Sequence, residues 1–177
     1  MKLLVRCIAI VSLLSCGLCL LNAQRVRSSP SAASSAVLDS ASIQELLRAH
    51  NEVRRQRGIA PLRWSPRLAV TAQEWAEHLA RIGELVHDRS RMVGQNLFAS
   101  YGAARRPSFV VGKWAEESKD YDERHFRCAR GAVCGHFTQL IWRETKEVGC
   151  GVAHGGNGEF WVCYYTPPGN FIGEKPY

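Results

Sequence analysis

The strongest constraint on how this 177-residue chain folds is a pair of short β-leaning runs near its C-terminus, VGCGVAH (148–154) and EFWVCYY (159–165). Gly155-Gly156-Asn157-Gly158 separates them, and glycine beside asparagine signals a hairpin because tight two-residue turns need positive φ at their centre. With the turn centred between Gly156 and Asn157, Gly155 opposes Gly158, and counting outward sets Cys150 across from Cys163. A cross-strand disulfide follows from that register. A slip of one residue would turn the two sulfurs to opposite faces.

The preceding stretch, CARGAVCGHFTQLIWRETKEVGCG (128–151), is the part of the chain densest in residues with chemistry. Cys128 and Cys134 bracket a short loop that a second disulfide can staple in an oxidising compartment. Gly135-His136 then leads into FTQLIW, which is too short and too apolar to stand alone. Phe137, Leu140 and Ile141 are therefore expected to be buried, fixing the imidazole of His136. A zinc site built from the four cysteines is the competing reading, but their spacing is not C-x-x-C.

Composition bears on compartment and partners. Lys2 and Arg6 precede an apolar run from Cys7 to Leu21 that ends in Leu-Asn-Ala, the pattern of a secretory signal cut after Ala23. The run is short for a membrane span. Leu13-Leu14-Ser15-Cys16 also resembles a bacterial lipoprotein signal, a minor alternative. Removal of residues 1–23 takes Cys7, Cys16 and Cys19 away, so four cysteines remain, an even number suited to two disulfides. The formal charge of +7 loses Lys2 and Arg6, leaving 21 basic against 16 acidic side chains. The basic clusters Arg54-Arg55-Arg57 and Arg105-Arg106 read as a solvated helix face and a loop, with attraction to anionic walls or membranes; a nucleic-acid partner is not expected in that compartment.

Residues 24–38 are rich in Ser and Ala with no period and read as a disordered spacer, so the globular part, a single domain, spans 39–177. Ser42-Ile43-Gln44-Glu45 fits a capping box ahead of a helix whose face carries Ile43, Leu46, Leu47, His50 and Val53, stopped by Gly58. His50 there reads as a packed or capping histidine, and His78 and His125 as exposed. Ser65-Pro66 opens a second helix with Leu68, Ala72, Trp75, Ala76 and Leu79 as its stripe and Gly83 as its stop. Residues 83–102 read as loop. A third helix is predicted from Pro107 or Ser108 to about Tyr121, placing Glu117 beside Trp114 and partly inside, where a carboxylate needs a partner. Helices first and a hairpin last make an α+β domain.

CGHFTQLIW followed by VGCG, then WVCYYTPPGNF, and upstream HNEVRRQRGIAPLRWSPRLAVTAQEWA, are similar to the signature segments of the superfamily of cysteine-rich secretory proteins, antigen 5 and pathogenesis-related class 1 (CAP) proteins. The resemblance runs from about Ile43 to Tyr177, and GNFIGEKPY resembles the plant pathogenesis-related branch. It implies an α-β-α sandwich and a cleft in which two histidines and two acidic residues meet. In this sequence those positions are His87, Gln95, Glu117 and His136. Where the family usually has glutamate this chain has Gln95, an amide that supplies no anionic ligand and no general base. One bridge of the three common in the plant branch is also missing, both cysteines being lost together, which predicts a looser loop over residues 83–90.

From residue types alone, two imidazoles with a carboxylate are the ingredients of a zinc site or of acid–base catalysis. A buried hydrogen-bond network that shapes a cleft without turning anything over is the favoured reading. No G-x-S-x-G or phosphate-cradling glycine motif supports Ser90 or Thr138 as a nucleophile. The expectation is a secreted, monomeric defence-associated protein, not an enzyme, that binds sterols or other lipids of microbial membranes, as the resemblance implies, in the apoplast if the source is a plant. It requires no cofactor and binds zinc weakly. The alternatives are a metal-assisted hydrolase using His87, Glu117 and His136, and a precursor whose residues 167–177 are released as a defence peptide, as the plant branch implies.

Overall fold

A computed structural model describes residues 38–156 and 158–177. The signal, its cut after Ala23 and the spacer up to Val37 lie outside the described residues. The described elements belong to one compact unit, Ser31–Tyr177. In chain order they are α1 (Ser40–Arg55), β1 (Arg63–Trp64), α2 (Pro66–Ile82), β2 (Gly94–Tyr101), α3 (Pro107–Ala115), a 3-10 turn (Glu116–Asp120), β3 (Tyr121–Asp122), β4 (Arg127–Cys128), α4 (Gly135–Leu140), β5 (Glu147–Gly155) and β6 (Gly158–Thr166). No helix among the described residues is long and apolar enough to cross a membrane.

The hairpin forms in the expected register, with Gly155 opposite Gly158 and Cys150 opposite Cys163. It is the centre of a four-stranded sheet in the order β1-β5-β6-β2, β1 joining in parallel and β2 antiparallel. Both disulfides pair as the sequence suggests, Cys150 with Cys163 and Cys128 with Cys134.

Each face of the sheet is buried under helices, because the strands alternate side chains between two cores. Val148, Cys150, Val152, Trp161, Cys163 and Tyr165 face α1, α3 and α4, where Leu46, Val110, Trp114, Phe137, Leu140 and Ile141 complete the core. Ala153, Phe160, Val162 and Tyr164 face α2 and meet Leu68, Ala72, Ala76 and Leu79. Glycines on β5 let α2 lie directly on the sheet: a methyl group added at Gly149, Gly151 or Gly155 would sit 2.3, 2.4 or 2.0 Å from backbone atoms of Ala69, Gln73 and Ala80. The result is the α-β-α sandwich.

Several local expectations are corrected. The cap of α1 is Asp39, whose carboxylate accepts from the Ser42 amide at 2.7 Å, so the helix starts earlier than a capping box at Ser42 allows. Glu45 turns instead to Ser108 at the start of α3. The third helix ends at Ala115, since EESKD offers no apolar residue to extend the stripe; a 3-10 turn follows and Tyr121 enters β3. The stretch 83–102 is not all loop, because Gly94–Tyr101 pairs along its length with β6. Its Gly, Gln, Asn and Ser residues have weak strand propensity, and the distant partner strand supplies the order. Arg54 is not on a solvated face but fully buried. His78 is half-buried and stacks on Trp75, with ring centroids 4.5 Å apart. Ser65 stands at the N-cap of α2 without a side-chain hydrogen bond.

The tail also has a definite course. Rather than lying over the sheet, it crosses α4. The Gly169 amide donates to Gln139 at 3.0 Å, and Asn170 accepts from Thr138 at 2.7 Å and donates to the Gly135 carbonyl at 2.8 Å. The Tyr177 hydroxyl donates to Glu123, which also holds Arg57 through two N–H groups.

Candidate functional site: two histidine pairs near an edge strand

His136 is the second residue of α4, a helix too short to persist without the burial of Phe137 and Leu140 behind it. Glu117, in the turn after α3, meets it. One carboxylate oxygen accepts from His136 Nδ1 at 2.6 Å, and the other accepts from the backbone amides of His136 and Phe137 at 3.0 and 3.1 Å. Glu117 therefore serves two of the unpaired amides that open α4. This is the partner a half-buried carboxylate beside Trp114 needs. Because a carboxylate only accepts, His136 Nδ1 is the donor, and in the neutral ring the lone pair is then on Nε2. The Trp114 ring stacks near the imidazole, with centroids 6.2 Å apart.

His87 lies in the loop between α2 and β2 and is exposed. Its Nδ1 donates to Gln95 Oε1 at 3.3 Å, so in the neutral ring its lone pair is on Nε2 as well. The Gln95 amide does more: Oε1 accepts from the Asp88 amide at 2.9 Å while Nε2 donates to the Asp88 carbonyl at 2.6 Å. Both halves of the amide are used on one backbone unit. A carboxylate in its place would lack the donor.

Asp88, which sequence reasoning passed over, is 3% exposed and anchors the loop. Its carboxylate accepts from the Ser90 hydroxyl at 2.6 Å and the Tyr164 hydroxyl at 3.0 Å, with Arg91 at 3.2 Å. Burial resists ionisation of Asp88, yet these donors and the Arg91 charge outweigh it and hold the carboxyl below the ordinary aspartate range. Burial pushes the Tyr164 phenol far up, and its bond to Asp88 adds to the shift. The available signal was HDRSR, a short acid flanked by hydroxyl and cations. Ser90 is thus a donor to Asp88, and Thr138 is engaged with Asn170, which leaves neither set up as a nucleophile. Instead of a bridge, the loop has these contacts and the Trp75 indole donating to the Val86 carbonyl at 2.9 Å.

Direct contacts join the four expected residues in two pairs, Glu117 with His136 and His87 with Gln95. Gln95 pairs across the ladder with Tyr164, on the α2 side, and Asn96 with Cys163, on the α3–α4 side, where Asn96 donates to the His136 carbonyl at 3.1 Å. Gln95 and Asn96 therefore face opposite sides of β2, the edge strand, and tie it to the His87 loop and to α4 respectively. For a divalent metal the bare donors are one imidazole nitrogen from each histidine. Glu117 is engaged by three donors and Gln95 offers an amide. Among the described residues no group of three or more His, Cys, Asp or Glu is placed to hold a metal ion.

Comparison with known proteins agrees with the fold. The family model described as "Cysteine-rich secretory protein family" (CAP) matches residues 47–165. Pathogenesis-related protein 1A of Nicotiana tabacum is 41% identical over 135 residues, covering 76% of this chain and 80% of that protein. A PR-1 type pathogenesis-related protein of Sambucus nigra is 35% identical over 76% of this chain and 81% of its own length. Among solved structures, Schistosoma mansoni venom allergen-like protein 4 superposes with TM-score 0.63 at 24% identity, covering 76% of this chain and 92% of that one. NaASP2, solved with Zn2+, gives TM-score 0.64 at 20% identity over 80% of this chain and 87% of that one. With the family model matching residues 47–165 and the tobacco protein 41% identical over 135 residues, the chain belongs to the cysteine-rich secretory protein (CAP) family.

Proposed function

We propose that this is an extracellular defence protein that works by binding, not by catalysis, and that its ligand is a sterol or another neutral lipid of an invading microbe's membrane. The observation that carries the defence role is the relatedness to the tobacco protein named pathogenesis-related protein 1A, shared over 76% of the chain. The two disulfides fit an extracellular protein, the apoplast if the source is a plant. A monomer is expected.

The lipid part rests on a groove of about 390 Å³ at the β1 edge of the sheet, between the start of α1 and α2. Leu38, Ile43, Trp64, Pro66 and Val70 line it, with Glu74 and Glu77 on the α2 side. Concave apolar sites with few polar groups suit small apolar ligands. The two glutamates disfavour an acidic head group and leave a neutral, rigid lipid as the better match. Neither histidine pair lines this groove. Titration of the oxidised chain 24–177 with ergosterol tests the reading: saturable binding is expected, and its absence removes the lipid part.

Metal-assisted hydrolysis by His87, Glu117 and His136 is supported less well, since the two bare imidazole nitrogens gain no third ligand. Zinc is expected to bind weakly. Equal and negligible zinc uptake by wild type and His136→Ala would dismiss the hydrolase.

A further inference from the structure

Of the ten large apolar side chains exposed among the described residues, four fall in the eleven-residue stretch from Ile82 to Met92. Ile82 is 44% exposed, Leu85 45%, Val86 39% and Met92 90%. Such a concentration on an exported protein marks a contact surface. The backbone beneath is fastened: Gly83 closes α2 in the left-handed conformation, Trp75 holds the Val86 carbonyl, and Asp88 is tied to Gln95, Ser90, Tyr164 and Arg91. The apolar groups are thus presented by a braced loop.

Charge narrows the partner. Arg91 is spent on the buried Asp88 and on Glu74 at the surface. Arg81 and Arg89 are exposed, and neither forms an ion pair among the described residues. Within residues 81–92 one exposed acid, Glu84, stands against them. Around the exposed Phe109, Arg106 and Lys113 are paired with Glu45 and Glu116, and Arg105 lies over the ring itself, 5.1 Å from its centroid. Exposed aliphatic groups with free arginines are the makings of an interfacial anchor, in which apolar side chains enter the headgroup boundary and cations meet anionic lipid.

We propose that the Ile82–Met92 loop is a docking lip for anionic bilayers, a surface apart from the lipid groove and independent of sterol uptake. Co-sedimentation of the oxidised chain 24–177 with sterol-free vesicles tests it, using phosphatidylcholine alone and phosphatidylcholine mixed with phosphatidylserine. The wild type is expected to bind the mixed vesicles, and to release as salt is raised. Leu85→Asp with Met92→Asp should weaken binding about tenfold or more, with thermal midpoint unchanged, because these side chains are exposed. Should that pair fail to fold, Arg81→Gln with Arg89→Gln serves instead, with a loss of about tenfold expected from two surface cations. Wild type that remains in the supernatant with both vesicles overturns the proposal, as do folded variants that bind like wild type. So does a lip that only dimerises the chain, shown by sedimentation of dimers that Met92→Asp disperses. Because the vesicles hold no sterol, failure here and failure of the groove are told apart.

Discussion

Arg54 joins three segments by donating to the carbonyls of Ala60 at 2.7 Å, Leu140 at 3.0 Å, Trp142 at 2.8 Å and Thr145 at 3.0 Å. Burial brings its pKa down to about 10, so it stays charged at neutral pH. Arg54→Met strands those carbonyls and should cost about 3 kcal/mol or more in urea unfolding, with Arg54→Lys recovering little because an ammonium lacks the fork. Next to it, His50 donates from Nδ1 to the Leu46 carbonyl and accepts the Tyr165 hydroxyl at Nε2, both at 2.8 Å. Burial lowers its pKa to about 4. Above the ordinary histidine value the ring is neutral folded or unfolded; as pH falls, the unfolded chain takes a proton that the buried ring refuses. Stability is therefore lost between about pH 6.5 and 4, by about 3 kcal/mol at most, and His50→Phe should flatten that segment of the stability–pH curve measured by denaturant unfolding. The sequence shows His50 as packed, since it lies on the apolar face of its helix. It hides Arg54, because an arginine in a run of arginines looks solvated until long-range carbonyls converge on it.

At the level of elements, the hairpin was legible to the residue because glycine-rich turn chemistry and two cysteines specify one register. The glycines of β5 were visible but not their purpose, which depends on where α2 lies. Gly151→Val should therefore destabilise by about 2 kcal/mol or more in thermal or denaturant unfolding, as the added side chain meets the Gln73 backbone, while Gly156→Ala, with open space around it, should cost less. Strand β2 was missed, since its order comes from β6 and not from its own propensity. That Glu117 needs a partner and that His136 is held in place were readable from the Trp114 spacing and the FTQLIW anchor, while their meeting was implied only by the family resemblance. The facing of Gln95 and Asn96 to opposite sides of β2 was not legible, because only the sheet shows which face each residue of the strand joins.

On the scale of the whole molecule, helical layers on both faces of one sheet leave three surfaces of different character: the histidine pairs at the β2 edge, the apolar groove at the β1 edge, and the tail across α4. The tail is part of the fold through Gly169, Asn170 and Tyr177, so deleting residues 167–177 should lower the thermal midpoint and loosen the support of His136. Release of that segment as a peptide predicts an intact 167–177 fragment in extracellular fluid by mass spectrometry; its persistent absence during infection would count against release. The central claim is that binding resides in the groove and not at the histidines. The most direct measurement is ergosterol affinity for Val70→Asp, which charges the groove wall, beside His136→Ala, which disables a histidine pair. The account predicts at least a tenfold loss for Val70→Asp and wild-type affinity for His136→Ala. Retention of binding by Val70→Asp together with its loss in His136→Ala would contradict it.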